Sequence, residues 1–178
     1  MTYVVNPINK PSDLQDQING KVSAKLLKPV NEGGTLHHLA ALSWKCLQLA
    51  AFFEDISLDD VGTYRSLAAQ TTLFKARYTT TNNGKVPKVF NGVRYYLKDG
   101  FAPAATPGKS NHGLGIAIDV KDASGERLEW LLNGNAEKFG FCWEYKDGQE
   151  PWHLVYFRGD VISRSVRNAL IVFPELAI

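Results

Sequence analysis

Ser110-Asn111-His112-Gly113-Leu114-Gly115-Ile116-Ala117-Ile118-Asp119-Val120 alternates small or acidic residues with large apolar ones from Gly115 onward, the pattern of a half-buried strand. Successive side chains of a strand point to opposite faces. Gly115, Ala117 and Asp119 therefore share one face, and Ile116, Ile118 and Val120 the other. The apolar face belongs against a core. The other face carries two nearly absent side chains and then a carboxylate, leaving a hollow for something to occupy. Upstream, Gly113 lets the backbone swing the His112 imidazole over the same hollow.

A second cluster, Glu150-Pro151-Trp152-His153, opens the apolar run Leu154-Val155-Tyr156-Phe157. His112, Asp119 and His153 are then three candidate metal ligands, with Glu150 close to the last. A catalytic zinc takes three such ligands and keeps a fourth position for water. A free Glu beside it can accept that water's proton. Trp152 reads as packing that fixes the adjacent ligand.

The chain has 178 residues, 44% hydrophobic and 21% charged, which fits one soluble domain with a real core. A formal net charge of +2 is too small to imply nucleic acid as a partner. Cys46 and Cys142 are too few for a disulfide scaffold and read as buried thiols. No run reaches the ~18 apolar residues of a membrane span, so no membrane insertion is expected. The start, Met1-Thr2-Tyr3-Val4-Val5-Asn6-Pro7, lacks the basic and apolar segments of a signal peptide.

Residues 1–34 read as an irregular N-terminal arm packed on the domain, broken by Pro7, Pro11, Pro29 and Gly33-Gly34. Thr35 is a plausible cap for a helix from Leu36 to Phe53, with apolar residues at spacings of three and four. His37 and His38 then fall in its first turn. Adjacent helical residues point apart, so the pair is read as surface residues or supports rather than ligands. A short strand follows within residues 57–64. Ser66 caps a helix over residues 67–78 with Ala69, Leu73 and Ala76 or Arg77 on successive turns. Arg65 sits where that strand gives way to the helix, a common place for a group aimed into a cleft. Asn91-Gly92, between two β-prone runs, predicts a hairpin inside the long connection 79–109, which we read as a flap. Helical material spans 126–139 with a break at Asn133-Gly134. Short strands at 141–143 and 150–157 and a helix over 163–170 complete the chain, and the apolar tail 171–178 must dock or meet a partner.

Ser110-x-His112-x-x-Gly115-x-Ala117-x-Asp119 followed by Glu150-x-Trp152-His153 resembles the zinc D,D-peptidases of bacterial cell walls. That group includes vancomycin-resistance dipeptidases and carboxypeptidases and the L-alanyl-D-glutamate endolysins of phages. Gly62-Thr63-Tyr64-Arg65-Ser66 with Gln70 is similar to the family's Tyr-Arg segment and the helix after it. The resemblance reaches from about residue 35 to residue 157. It implies a single α+β catalytic domain over 35–178, a hedgehog- or D,D-peptidase-like small antiparallel sheet with flanking helices and zinc on its open face. It further implies His112, Asp119 and His153 as zinc ligands and Glu150 as general base. Arg65 would hold the substrate carbonyl and its developing charge, Ser110 would contact substrate or orient the first ligand, and Gln70 would contact substrate.

The leading expectation is a monomeric zinc hydrolase cutting the stem peptide of bacterial peptidoglycan, as a phage endolysin or its catalytic domain. It would reach the wall from the host cytoplasm by way of a holin, or be carried on the virion. The other readings are a D-Ala-D-Ala carboxypeptidase and a non-catalytic zinc-containing wall-binding module. Glu150 and Arg65 argue against the last, since a pure binder needs neither. An endopeptidase is favoured over a carboxypeptidase because a free terminal carboxylate calls for a dedicated cation. Arg65 is already assigned, and no spacing places Lys109 or Arg94. Phe90, Tyr95 and Tyr96 on the hairpin could wall a groove for an extended peptide.

Overall fold

Strand β7 (Ala117–Val120) lies inside a four-stranded antiparallel sheet, between β3 (Asp60–Gly62) and β9 (His153–Tyr156), with β8 (Phe141–Trp143) on the far edge. The computed structural model describes residues 2–30 and 33–177. The β7–β9 register pairs Ala117 with Val155, Ile118 with Leu154 and Asp119 with His153. Cross-strand partners point to the same side. Ile118 and Leu154 therefore share the apolar face, and Asp119 and His153 the opposite one. The strand is shorter than the alternation predicts, because Asn111–Leu114 forms a 3-10 turn and Gly115 turns left-handed at φ +70°. A side chain on Gly115 would also meet the backbone of His37.

The apolar face joins the main core. Helix α1 (His38–Phe52) contributes Ala40, Ala41, Trp44, Leu47 and Ala51, alongside Ile116, Ile118, Phe141 and Leu154. The opposite face is open only at its Asp119 end. Ala117 is fully buried, and the N-terminal arm runs along β8, where the Trp143 N–H donates to the Val4 carbonyl. The arm also sends Leu14 and Val22 into the main core. Both thiols are buried, and burial pushes Cys46 and Cys142 up to about 11.

The predicted helix start is displaced. Thr35–His37 is a strand (β2) paired antiparallel with β1 (Leu27–Pro29), and α1 begins at His38 with His37 as its extended N-cap. Ser66 caps α2 (Leu67–Arg77) as expected, its hydroxyl accepting from the Ala69 N–H. The inward residues of α2 are Gln70 and Phe74, not the Ala69-Leu73 row. Strand β4 (Tyr78–Thr79) then joins β5 (Lys88–Phe90) and β6 (Val93–Leu97) in a separate three-stranded sheet, ordered β4-β6-β5. Asn91 (φ +49°) and Gly92 (φ +75°) make its hairpin turn, and both angles suit the mirror-image turn that right-twisted strands prefer. Phe74 stacks on Tyr78 at 4.3 Å to form a small second core.

Helix α3 (Gly125–Trp130) continues through a wide turn broken at Asn133 and Gly134 into α4 (Ala136–Lys138). Helix α5 (Arg164–Val172), capped by Ser163, packs against α1. Leu176 of the tail packs on the core, whereas Ile171 and Val172 stay exposed. No helix among the described residues is long and apolar enough to cross a membrane.

Candidate active site

Asp119 and His153 meet because the β7–β9 register sets them opposite each other, with His153 Nδ1 2.9 Å from Asp119 Oδ1. The short turn before β7 brings in His112, whose Nε2 lies 3.3 Å from the same oxygen. The three donor atoms lie within 4.8 Å of one another. Room for the carboxylate comes from β3, where a Cβ on Gly62 would sit 2.5 Å from Asp119 Oδ2.

The far nitrogen of each imidazole is occupied. His112 Nδ1 donates to the Thr63 carbonyl at 2.8 Å, which leaves the Nε2 lone pair facing Asp119. His153 Nε2 donates to Glu144 Oε2 at 2.7 Å, and Asn111 Nδ2 holds the other oxygen of Glu144 at 3.0 Å. Metal-binding histidines characteristically carry such supports, which fix the ring and its tautomer. Burial works to lower the His153 pKa, but Asp119 and Glu144 outweigh it and raise it to about 9. Burial likewise works to raise Asp119, yet the two imidazoles hold its carboxyl well below the usual range. The hydrogen bond from His153 lowers Glu144.

These groups line a cleft of about 410 Å³ that also contains Arg65, Gln70, Ser110 and Glu150. Arg65 enters through its backbone N–H, which donates to the His112 carbonyl at 3.0 Å. Its Nη1 donates to Gln70 Oε1 at 3.0 Å, and Gln70 Nε2 donates to the Ala105 carbonyl at 2.7 Å. Buried Gln70 is thus a brace for the guanidinium. Burial lowers the Arg65 pKa, with Asp119 opposing. Glu150 precedes β9 and accepts the His153 N–H on its own carbonyl at 3.0 Å, leaving its side chain in the cleft lining. The segment Ala102–Ala105 forms one wall, to which Arg77 and Lys88 are tied through the Pro103 and Ala104 carbonyls.

Two local expectations need correction. Trp152 is 42% exposed and lines the cleft. The tryptophan that braces this region is Trp143, whose Nε1 donates to the Pro151 carbonyl at 3.0 Å. Gly113 is small for close packing, not for swing, because a Cβ there would collide with the Asn19 amide. Asn19 Nδ2 in turn donates to the Ser110 carbonyl at 2.8 Å. Glu144 and the Thr63 carbonyl escaped the sequence reading. A carboxylate at the end of the apolar strand Phe141-Cys142-Trp143, facing the Glu-x-x-His strand, is the signal that marks Glu144.

An α+β domain with two histidines and one aspartate at the floor of a cleft, beside a free glutamate and a braced arginine, defines a hydrolase of the metallopeptidase class. Residues 33–159 match the VanY family model, described as D-alanyl-D-alanine carboxypeptidase, and the chain belongs to that family. Among solved structures, it is similar to a mutant of the vancomycin-resistance D,D-pentapeptidase VanY from a VanB-type cassette, in complex with Zn(II). That match has 18% identity and a TM-score of 0.58, over 95% of this chain and 92% of the other. A structure of VanYB in complex with D-alanine-D-alanine matches with 18% identity and a TM-score of 0.57, over 96% and 91%. Likeness at this identity establishes the shared fold. No protein of curated function is similar enough in sequence to match this chain.

Proposed function

We propose that this protein is a zinc-dependent D,D-carboxypeptidase that removes the terminal D-alanine from peptidoglycan stem peptides. The observation that carries this reading is the convergence of His112, Asp119 and His153 in one cleft with Glu150 and Arg65. The donor set fits zinc, since two neutral imidazoles with occupied far nitrogens and one carboxylate make a three-ligand site. When bound, zinc polarises a carbonyl and lowers the pKa of water from 15.7 to about 7. Glu150 accepts a proton from the attacking water and delivers it to the leaving amine. Arg65, held by Gln70, faces the charge that develops on the carbonyl oxygen.

An endopeptidase is expected where no cation is placed to receive a terminal carboxylate. Besides Arg65, the cleft is lined by Arg77, Lys88 and Lys109, which supplies positive charge for a terminal carboxylate. One structural relative is described as holding D-alanine-D-alanine, which supports the same substrate class. The test is product analysis with a stem pentapeptide ending in D-Ala-D-Ala, beside the same peptide with its C-terminus amidated. Free D-alanine from the first and none of its amide from the second is expected. Equal cleavage of both, or of an internal bond, would return the protein to the endopeptidases.

A further inference from the structure

We propose that Asp13, His37 and His38 form a second metal site, separate from the cleft, that takes a transition-metal ion with zinc as the best fit. His37 Nε2 lies 2.9 Å from Asp13 Oδ1, and His38 Nε2 lies 2.9 Å from Asp13 Oδ2. The two rings are 4.3 Å apart between centroids, and one donor atom from each of the three residues lies within 4.8 Å of the others. Had both histidines been helical, their rings would diverge. His37 instead ends β2 in extended conformation while His38 opens α1, so the chain turns between them and both rings face one carboxylate. Asp13 is delivered from the arm by the 3-10 turn Ser12–Leu14.

The surroundings select the ion. The His37 side chain is fully buried, whereas His38 is 39% and Asp13 36% exposed. One side is therefore closed by protein and the other open to a water as fourth ligand. Two nitrogens and a single carboxylate suit zinc and its transition-metal neighbours, whereas calcium and magnesium require oxygen-rich shells. Lys25, Lys28 and Lys45 line the groove beyond His38, and the positive end of α1 lies beneath it. An ion held by charge alone is disfavoured there, and one held by imidazole nitrogens is not. His37 Nδ1 finds no hydrogen-bond partner among the described residues. Missing supports of this kind weaken metal affinity by about 10–100-fold, so this site binds zinc more weakly than the cleft. A bound ion would pin the arm to the start of α1. The His37 N–H already donates to the Gly115 carbonyl at 2.8 Å, so that pin adjoins the turn leading into β7.

The test is zinc stoichiometry of the full chain by mass spectrometry of the metal after equilibrium dialysis. Wild type should hold two ions, and Asp13→Asn and His38→Ala one each, with hydrolysis unchanged in both variants. Two ions retained in both variants, or a single wild-type ion that survives Asp13→Asn, would overturn the site. A single ion lost in Asp13→Asn but kept in His153→Ala would support this site and remove zinc from the cleft instead. Thermal melts supply a second readout. Zinc should raise the Tm of His153→Ala but not of His153→Ala combined with His38→Ala. An equal rise in both, or an equal rise with magnesium, would leave Asp13 as a plain hydrogen-bonded latch for the arm.

Discussion

His112, Asp119 and His153 arrive from a turn and two sheet strands, whereas Asp13, His37 and His38 join an arm to a helix start. Each group offers two imidazoles and one carboxylate. The first lies in a cleft with Glu150 and Arg65, and acceptors occupy the far nitrogens of both its rings. The second has Lys25, Lys28 and Lys45 in the groove beside it and a His37 Nδ1 with no hydrogen-bond partner among the described residues. Identical donor types thus differ in what they can do. Chemistry requires a base, an oxyanion partner and room for substrate around the donors, and only the cleft combines them.

Removing the base alone should abolish what sets the cleft apart. Glu150→Gln should keep its zinc and fold yet lose turnover by ~10²–10⁴-fold, the usual worth of a general base. Wild-type turnover in zinc-loaded Glu150→Gln would show that the cleft's advantage lies elsewhere. Arg65→Ala should cut kcat by ~10²–10³-fold with a smaller change in KM, because its target is charge present only in the transition state. A raised KM with unchanged kcat would recast Arg65 as a substrate anchor.

Much of the frame was legible because it rests on local chemistry. The hairpin follows from Asn91-Gly92, and the starts of α2 and α5 from Ser66 and Ser163. The alternation at Ala117–Val120 yields a strand whose Asp119 side meets His153. What stayed hidden depends on pairing between distant segments. Nothing near His37 reveals that Thr35–His37 pairs with Leu27–Pro29, and that pairing turns one ring inward to meet its neighbour. The resemblance implies Gln70 as a substrate-binding residue, and its bracing of Arg65 emerges only once the Ala105 carbonyl is seen on its other side. Glu144 gains meaning only once β8 lies beside β9.

Glu144 also separates the two donor groups, since among the described residues only His153 has such a carboxylate behind it. Glu144→Gln should weaken zinc binding in the cleft by ~10–100-fold, measured by competition with a chelator, and so bring the cleft toward its weaker counterpart. Undiminished affinity would mean that the ring of His153 is oriented without it.

Titration of chelator-treated protein should separate the two groups as well. His153, raised to about 9 from an ordinary 6.5, contributes stability that is complete below 6.5 and is lost as pH rises through 9. His37 is lowered, chiefly by burial, so its contribution is present above 6.5 and is lost as pH falls below it. Imidazole proton shifts in an NMR titration should place the two on opposite sides of 6.5, with thermal melts declining at both ends. Overlapping titrations would erase the electrostatic distinction.

The stretch Asn19-Gly20 threads between the motif turn and the start of α2. Asn19 holds the Ser110 carbonyl, the Gly20 N–H holds Gly113, and the Gly20 carbonyl receives the Leu67 N–H. The family match begins at residue 33, after all of this. Where the family model aligns and where this molecule starts to be self-supporting are therefore different places. A version trimmed to the aligned part would lose Leu14 and Val22 from its interior and leave the His112 turn without its scaffold. Anyone grafting this domain onto a wall-targeting carrier should carry the arm across intact and attach the carrier ahead of it.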